Sequence, residues 1–88
     1  MRTVRAVRKD LSKIDIKMRK LFLKRMKYST EMADIKTSLN LPFEDKDRED
    51  YLKRKYAKDI VDYRKSYLTF LDTIFSLSKE EMNNTNKK

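Results

Sequence analysis

One long amphipathic pattern dominates the first half of the chain. From residue 4 to residue 39, apolar or aromatic side chains recur at alternating spacings of three and four, which is the period of one face of an α-helix. The pattern predicts a first helix over about residues 4–39, about 50 Å long. Its apolar stripe consists of Val4, Val7, Leu11, Ile14, Met18, Leu21, Tyr28, Met32, Ile35 and Leu39.

Arg25 occupies the position in this stripe that is not apolar. A guanidinium keeps its proton in proteins, so it must find an anion or reach water. The residues three and four positions away on the same helix are apolar, aromatic or serine, so they cannot neutralise it. We expect its counter-ion on another helix or on a ligand. A buried salt bridge to Glu49 or Asp45 is the structural alternative.

The second half of the chain reads as two further helices. Pro42 ends the first helix, and Asp45 is a good N-cap for a second helix over about residues 45–58. A third helix is expected over about residues 62–83, and residues 84–88 are expected to fray. The chain lacks glycine, so the class is all-α, and residues 1–88 read as a single domain.

Both later helices have an apolar face. The expected buried positions of the second helix are Leu52, Tyr56 and Ile60. Those of the third are Tyr67, Phe70, Leu71, Ile74, Phe75, Ser78 and Met82.

The length of the first helix predicts a partner. A compact chain of 88 residues has a radius of gyration of about 12 Å, so it cannot cover a stripe about 50 Å long. A second copy of the chain is the simplest cover. We therefore expect an intertwined helical homodimer.

Composition limits the chemistry. The chain has no cysteine or histidine, which excludes thiolate and imidazole as nucleophiles or metal ligands. No apolar run approaches the roughly 20 residues that span a bilayer, so we expect a cytoplasmic protein. The net charge is +9, and residues 1–40 hold 12 Lys/Arg against 4 Asp/Glu. Such a balance suits an anionic partner: nucleic acid, a membrane surface or a small polyanion. Solvated surface lysines are the simpler explanation.

Three further cations could join Arg25 at a ligand site. Lys36 follows it by eleven residues, about three helical turns, and so returns to nearly the same face. Arg48 begins the apolar face of the second helix. Arg8 lies about 100° round the first helix from Arg25, so it could face this site only from a second subunit. Lys36 and Arg8 could instead be ordinary surface cations, and Arg48 could pair with Glu44 or Asp45.

The joint spacing resembles that of the all-helical chorismate mutases. The run from Val7 to Asp15 resembles their "LRxxIxxID", and the run from Leu21 to Met26 resembles their "LLxxRM". Lys36 falls where their lysine contacts the substrate ether oxygen. The run from Pro42 to Glu49 resembles "PxxDxxRE", and the run from Ile74 to Ser78 resembles "IIxxS". The resemblance covers residues 4–82.

This resemblance implies a dimeric enzyme that rearranges chorismate, a small dianion, to prephenate in phenylalanine and tyrosine biosynthesis. Arg25 and the Arg8 of a second subunit would each clamp one carboxylate, and Lys36 would bind the ether oxygen. The remaining matched polar positions would orient the ring hydroxyl or hold a carboxylate; they are Asp45, Arg48, Glu49 and Ser78. No cofactor, metal, nucleic acid or membrane is implied.

One position departs from the family pattern. Met82 stands where the family has a glutamine or glutamate that also contacts the ether oxygen, and a thioether cannot donate a hydrogen bond. Asn83 would serve if the register of the third helix were shifted by one residue. The alternative functions are an isochorismate-pyruvate lyase on the same scaffold, a basic nucleic-acid-binding module and a coiled-coil interaction module.

Overall fold

Three helices and their connections make up the structure, a computed structural model that describes residues 1–86. They are α1 (Val4–Ser38), α2 (Lys46–Ala57) and α3 (Arg64–Asn86), and no strand occurs in this part of the chain. The all-helical class with a very long first helix is therefore confirmed. α3 begins two residues later than expected and continues to Asn86, three residues beyond its expected end. Residues 87–88 of the predicted tail lie outside the described residues.

The end of α1 explains the abrupt turn before Pro42. Asn40 adopts a left-handed conformation with φ 56°, which asparagine tolerates better than most residues. Its backbone N–H donates to the Thr37 carbonyl at 3.2 Å, and the Leu41 N–H donates to the Lys36 carbonyl at 2.8 Å. This paired arrangement is a Schellman motif, which satisfies the last carbonyls of the helix without glycine.

α2 begins as the sequence predicts. The Asp45 side chain accepts a hydrogen bond from the Arg48 backbone N–H at 3.0 Å, which makes Asp45 the N-cap. Asp47 and Glu49 occupy the first turn, where negative charge suits the helix dipole.

The corner between α2 and α3 is stabilised by hydrogen bonds from one side chain and contains one residue with an unfavourable backbone conformation. The Arg64 guanidinium donates to the Ala57 carbonyl at 2.7 Å and to the Ile60 carbonyl at 3.4 Å. Tyr63, just before α3, has φ 64°, an unfavourable region for a bulky residue. The turn thus forms without glycine or proline, which is why the sequence marks it poorly.

α3 packs against both other helices and carries most of the core. Leu71, Phe75 and Met82 of α3 are buried, as predicted, whereas the prediction for Phe70 is wrong, because this residue is 50% exposed. On α2 the prediction for Tyr56 is wrong, because its ring is exposed and the neighbouring Ala57 is buried instead. A methyl side chain at this position lets the two helices approach closely.

The residues that α1 buries lie beside the apolar stripe and not in it. Ser29 and Ala33 of α1 are buried, and both are small, so α3 can lie close to them. The ten apolar residues of the stripe are 40–67% exposed in the single chain. The stripe is therefore still available to a partner.

The extended shape of the chain leaves more surface accessible to solvent than a compact protein of this mass exposes. The accessible area is 7853 Å², whereas a compact protein of this mass exposes about 5,500 Å². The radius of gyration is 16.4 Å, against about 12 Å for a compact chain of this length. None of the helices in residues 1–86 combines the length and apolar character needed to cross a membrane.

Candidate active site

A cleft lies where the second half of α1, the connector, the start of α2 and the second half of α3 meet. Its volume is about 170 Å³. Its walls are formed by Arg25, Lys36, Phe43, Asp45, Arg48, Glu49, Leu52, Phe75, Ser78, Lys79 and Met82. Every site residue expected from the sequence is among them except Arg8. Within the described residues, no group of three or more acidic side chains is close enough to hold a metal ion.

Arg25 reaches the cleft from α1 and lies over an aromatic ring. Its guanidinium carbon is 5.7 Å from the centroid of the Phe75 ring, a cation–π distance. No carboxylate of residues 1–86 forms an ion pair with it. The expected alternative, a salt bridge to Glu49 or Asp45, is therefore absent from the single chain. Arg25 therefore enters the cleft as a cation that has no counter-ion in the part of the chain that the structure describes.

Lys36 enters from the last turn of α1, where the helix dipole favours a cation. Its ammonium donates to the Phe43 carbonyl of the connector at 3.4 Å, a long hydrogen bond. An ammonium has three N–H donors, so two remain for a ligand. No carboxylate pairs with Lys36 in the part of the chain that the structure describes.

Arg48 stands at the mouth of the cleft, on the first turns of α2. Its guanidinium carbon is 5.7 Å from the centroid of the Tyr51 ring. The expected alternative, pairing with Glu44 or Asp45, does not occur among the described residues. The carboxylate of Asp45 instead caps α2 through the Arg48 backbone N–H.

Glu49 does have a partner, which sequence reasoning missed. Its Oε2 lies 3.4 Å from the ammonium of Lys79 on α3, and Oε1 of Glu44 lies at the same distance from that ammonium. Burial lowers the pKa of Lys79, but the hydrogen bonds and charges of Glu44 and Glu49 outweigh it and raise that pKa overall. Lys79 follows Ser78 directly, and only the crossing of α3 over α2 brings it to Glu49.

Ser78 holds α3 to α1 beside Arg25. The Ser29 hydroxyl donates to the Arg25 carbonyl at 3.1 Å, so the Ser78 hydroxyl donates to the Ser29 oxygen. Ser29 is buried and was also missed by sequence reasoning. The sequence signal that could have identified Ser29 as buried is the pair of small residues one turn apart, Ser29 and Ala33, that begins one turn after Arg25.

Met82 forms the far wall of the cleft. Its side chain is 5% exposed and lies in the α3 face that packs onto the rest of the chain. Asn83 is exposed and does not line the cleft. The register of α3 therefore presents the thioether, so the alternative in which Asn83 takes this position is wrong.

Arg8 lies elsewhere. It is exposed on the first half of α1 and does not line the cleft. The 17 residues between Arg8 and Arg25 correspond to about 25 Å along the helix. As expected from its azimuth, Arg8 does not share a site with Arg25 within one chain.

An apolar groove continues from the cleft along α1. It has a volume of about 470 Å³ and shares Arg25, Leu52 and Phe75 with the cleft. Its other walls are Met18, Arg19, Leu21, Phe22, Tyr56, Phe70, Leu71 and Ile74. A helix lying in this groove would reach the edge of the charged cleft.

Comparison with known proteins identifies the family of the chain. No curated protein and no solved structure matches the chain. The family model described as chorismate mutase type II matches residues 7–83, which include all of α2, most of α1 and α3, and every residue that lines the cleft. The chain therefore belongs to the chorismate mutase type II family.

Proposed function

We propose that residues 1–88 form one chorismate mutase domain that converts chorismate to prephenate at this cleft, without a cofactor. Membership of the family supports the activity. The reaction is an intramolecular rearrangement, in which one carbon–oxygen bond breaks and one carbon–carbon bond forms. It needs neither a nucleophile nor a metal, so a chain without cysteine and histidine can perform it.

One observation carries the proposal. Arg25, Lys36 and Arg48 face a single cleft, and none has a carboxylate partner among the described residues. Three cations that line one cleft without carboxylate partners among the described residues repel each other, and the repulsion is relieved when an anion binds between them. A dianion of the size of chorismate supplies that charge.

The first task of the site is to hold the substrate in its reactive shape. Arg25 would bind one carboxylate, since a guanidinium fork fits a planar carboxylate with two parallel hydrogen bonds. Ser78 also lines the cleft; its one hydroxyl proton goes to Ser29 in the free chain, and would turn to the carboxylate when the ligand binds. Fixing the two reacting ends of one molecule in this way removes much of the entropic part of the barrier.

The second task is to stabilise charge that develops in the transition state. Negative charge grows on the ether oxygen as its bond to carbon breaks. Lys36, already held by the Phe43 carbonyl, would donate to that oxygen. A preorganised donor of this kind contributes on the order of 100-fold or more in rate.

The acidic end of the cleft would recognise the ring hydroxyl. Glu49 would accept a hydrogen bond from it, with Asp45 and Arg48 beside it on the first turns of α2. This element favours the mutase over a lyase acting on isochorismate, because it suits the position of the hydroxyl in chorismate.

We propose that the site is completed by a second copy of the chain. The cleft of about 170 Å³ is smaller than the 300 Å³ or more that is usual for a small-molecule site. Beside it lies the apolar groove, and the first half of α1 exposes apolar residues at helical spacing that could fill such a groove. Arg8 is flanked by two of them, Val7 and Leu11. An antiparallel or crossed pair of α1 helices would bring the partner's Arg8 to the cleft, where it would bind the second carboxylate.

The experiment is an assay of the purified dimer with chorismate, following substrate loss and identifying the product. Prephenate as the product supports the proposal. Turnover of isochorismate alone would favour the lyase. Absence of turnover, together with RNA or DNA binding that falls steeply with salt and survives Arg25→Ala, would favour a nucleic-acid-binding module and refute the proposal.

A further inference from the structure

The ammonium of Lys79 joins three separate segments of the chain at the edge of the cleft. It lies on α3, 3.4 Å from Glu44 of the connector and 3.4 Å from Glu49 of α2. The family resemblance assigns no role to this position. Lys79 also lines the cleft.

We propose that Lys79 is a positioning residue, which holds Glu49 in the orientation that leaves one carboxylate oxygen free for the ligand. The inference rests on the proposed function of the cleft. The ion pair uses Oε2 of Glu49. No hydrogen bond or ion pair reaches Oε1 from residues 1–86, so this oxygen is available to accept from a ligand hydroxyl.

The two ion pairs of Lys79 differ in how exposed the partner carboxylate is to solvent. The side chain of Glu44 is 66% exposed, and such a pair contributes little because water screens it. The side chains of Glu49 and Lys79 are 23% and 29% exposed, so their attraction is less screened. Glu49 is therefore the partner through which Lys79 acts on the site, and Glu44 mainly ties down the connector.

By neutralising the charge of Glu49, Lys79 also keeps this carboxylate from pairing with the cations that would bind the ligand. Arg25, Lys36 and Arg48 line the same cleft as Glu49, and none has a counter-ion among the described residues. Without Lys79, the carboxylate would be drawn toward one of these three cations. A dianion would then compete with Glu49 for that cation. Loss of Lys79 should therefore weaken substrate binding more than it slows the chemical step.

Lys53 provides a matched control. Its side chain is also 29% exposed, and its ammonium also lies between two carboxylates, 3.0 Å from Asp72 and 3.7 Å from Asp50. It links α2 to α3 in the same way but does not line the cleft. Lys53→Gln should therefore reproduce the change in stability caused by losing an ion pair between α2 and α3, without changing KM or kcat.

The experiment compares KM, kcat and thermal unfolding of Lys79→Gln, Lys79→Arg and Lys53→Gln in the full chain. We expect Lys79→Gln to raise KM on the order of tenfold, with a smaller change in kcat. Lys79→Arg, which keeps the charge, should restore most of the loss, and Lys53→Gln should leave both constants unchanged. A KM for Lys79→Gln no higher than that of Lys53→Gln, or no rescue by arginine, overturns the inference.

A second measurement separates this inference from the proposed function. The carboxyl ¹³C resonance of Glu49, observed by NMR without substrate, should move in Lys79→Gln and stay in place in Lys53→Gln. An unmoved resonance overturns the role of Lys79 even in an active enzyme. If the wild-type chain does not turn over chorismate but the Glu49 resonance still moves in Lys79→Gln, the proposed function is refuted and the Lys79–Glu49 coupling stands.

Discussion

The guanidinium of Arg25 lies over the ring of Phe75, with Cζ 5.7 Å from the ring centroid. This contact links α1 to α3 at the boundary between the charged cleft and the apolar groove. An aromatic face attracts the cation but accepts no strong hydrogen bond from it. The N–H groups of Arg25 are therefore held in place while remaining available to a carboxylate.

Replacing Arg25 should separate activity from stability. In Arg25→Met we expect kcat/KM for chorismate to fall on the order of 100-fold or more, because a carboxylate clamp is lost. The melting temperature should stay the same or rise, since a cation without a counter-ion leaves an apolar stripe. Steady-state kinetics and calorimetry test this. Lys24→Met, at an exposed neighbouring position, is the control and should leave kcat/KM unchanged. An active Arg25→Met enzyme would contradict the assignment of this residue.

A variant at Met82 tests whether a second donor to the ether oxygen would speed the proposed reaction. Met82→Gln places an amide donor at a buried position that lines the cleft, and we expect kcat to rise by about tenfold or more. Met82→Leu changes the shape without adding a donor, so its kcat should not rise. A Met82→Gln enzyme that is folded but no faster than wild type would mean that Lys36 alone serves the ether oxygen.

Mixing two inactive variants tests the shared site. Arg8→Ala and Arg25→Ala should each be nearly inactive as homodimers. If each site takes Arg25 from one subunit and Arg8 from the other, a mixed dimer has one intact site out of two. Refolding the variants together in equal amounts makes half of the dimers mixed, so about one quarter of wild-type activity should return. No recovery in verified mixed dimers would show that Arg8 does not cross the interface.

Relieving the strain at Tyr63 should stabilise the chain. Its φ of 64° is unfavourable for a tyrosine, and its side chain is exposed, so little packing is lost on replacement. Tyr63→Asn should stabilise the fold by about 0.5–1 kcal/mol, because asparagine adopts the left-handed region more readily. This corresponds to a rise of a few degrees in melting temperature. Tyr51→Asn, on the regular helix α2, should not stabilise and serves as the comparison.

The two lysine ion pairs predict how stability changes in alkali. The hydrogen bond with Asp72 raises the pKa of Lys53 above 10.5, and Glu44 and Glu49 raise that of Lys79 despite its burial. A folded-state pKa above the unfolded value means that the contribution is complete below about pH 10.5 and is lost as pH rises through the folded pKa. The difference in unfolding free energy between wild type and the double variant Lys53→Gln/Lys79→Gln should therefore be constant from pH 7 to 9 and shrink above pH 10.5. Urea unfolding at each pH measures it, and a difference that grows in alkali would contradict the assignment.

The local features of this protein follow from its sequence. The three–four spacing predicted α1 to within one residue at its end, and Asp45 caps α2 as expected. These features depend on interactions within a few residues, which adjacent side chains largely determine. The cations at Arg25, Lys36 and Arg48 could also be found this way, because a charge on an apolar helix face is visible in the spacing alone.

Only the tertiary structure decided which helix faces meet. The sequence predicted burial of Tyr56, but Ala57 is buried, because α3 approaches closest where the α2 side chain is small. The same packing joins Ser78 to Ser29 and Lys79 to Glu49. These pairs are 49 and 30 residues apart in the chain, and no local pattern relates them. The sequence by itself determined where helices begin and which cations need an anion. The crossing of α3 over α1 and α2 determined which side chains share the cleft, since contacts between distant segments depend on how whole helix surfaces fit together.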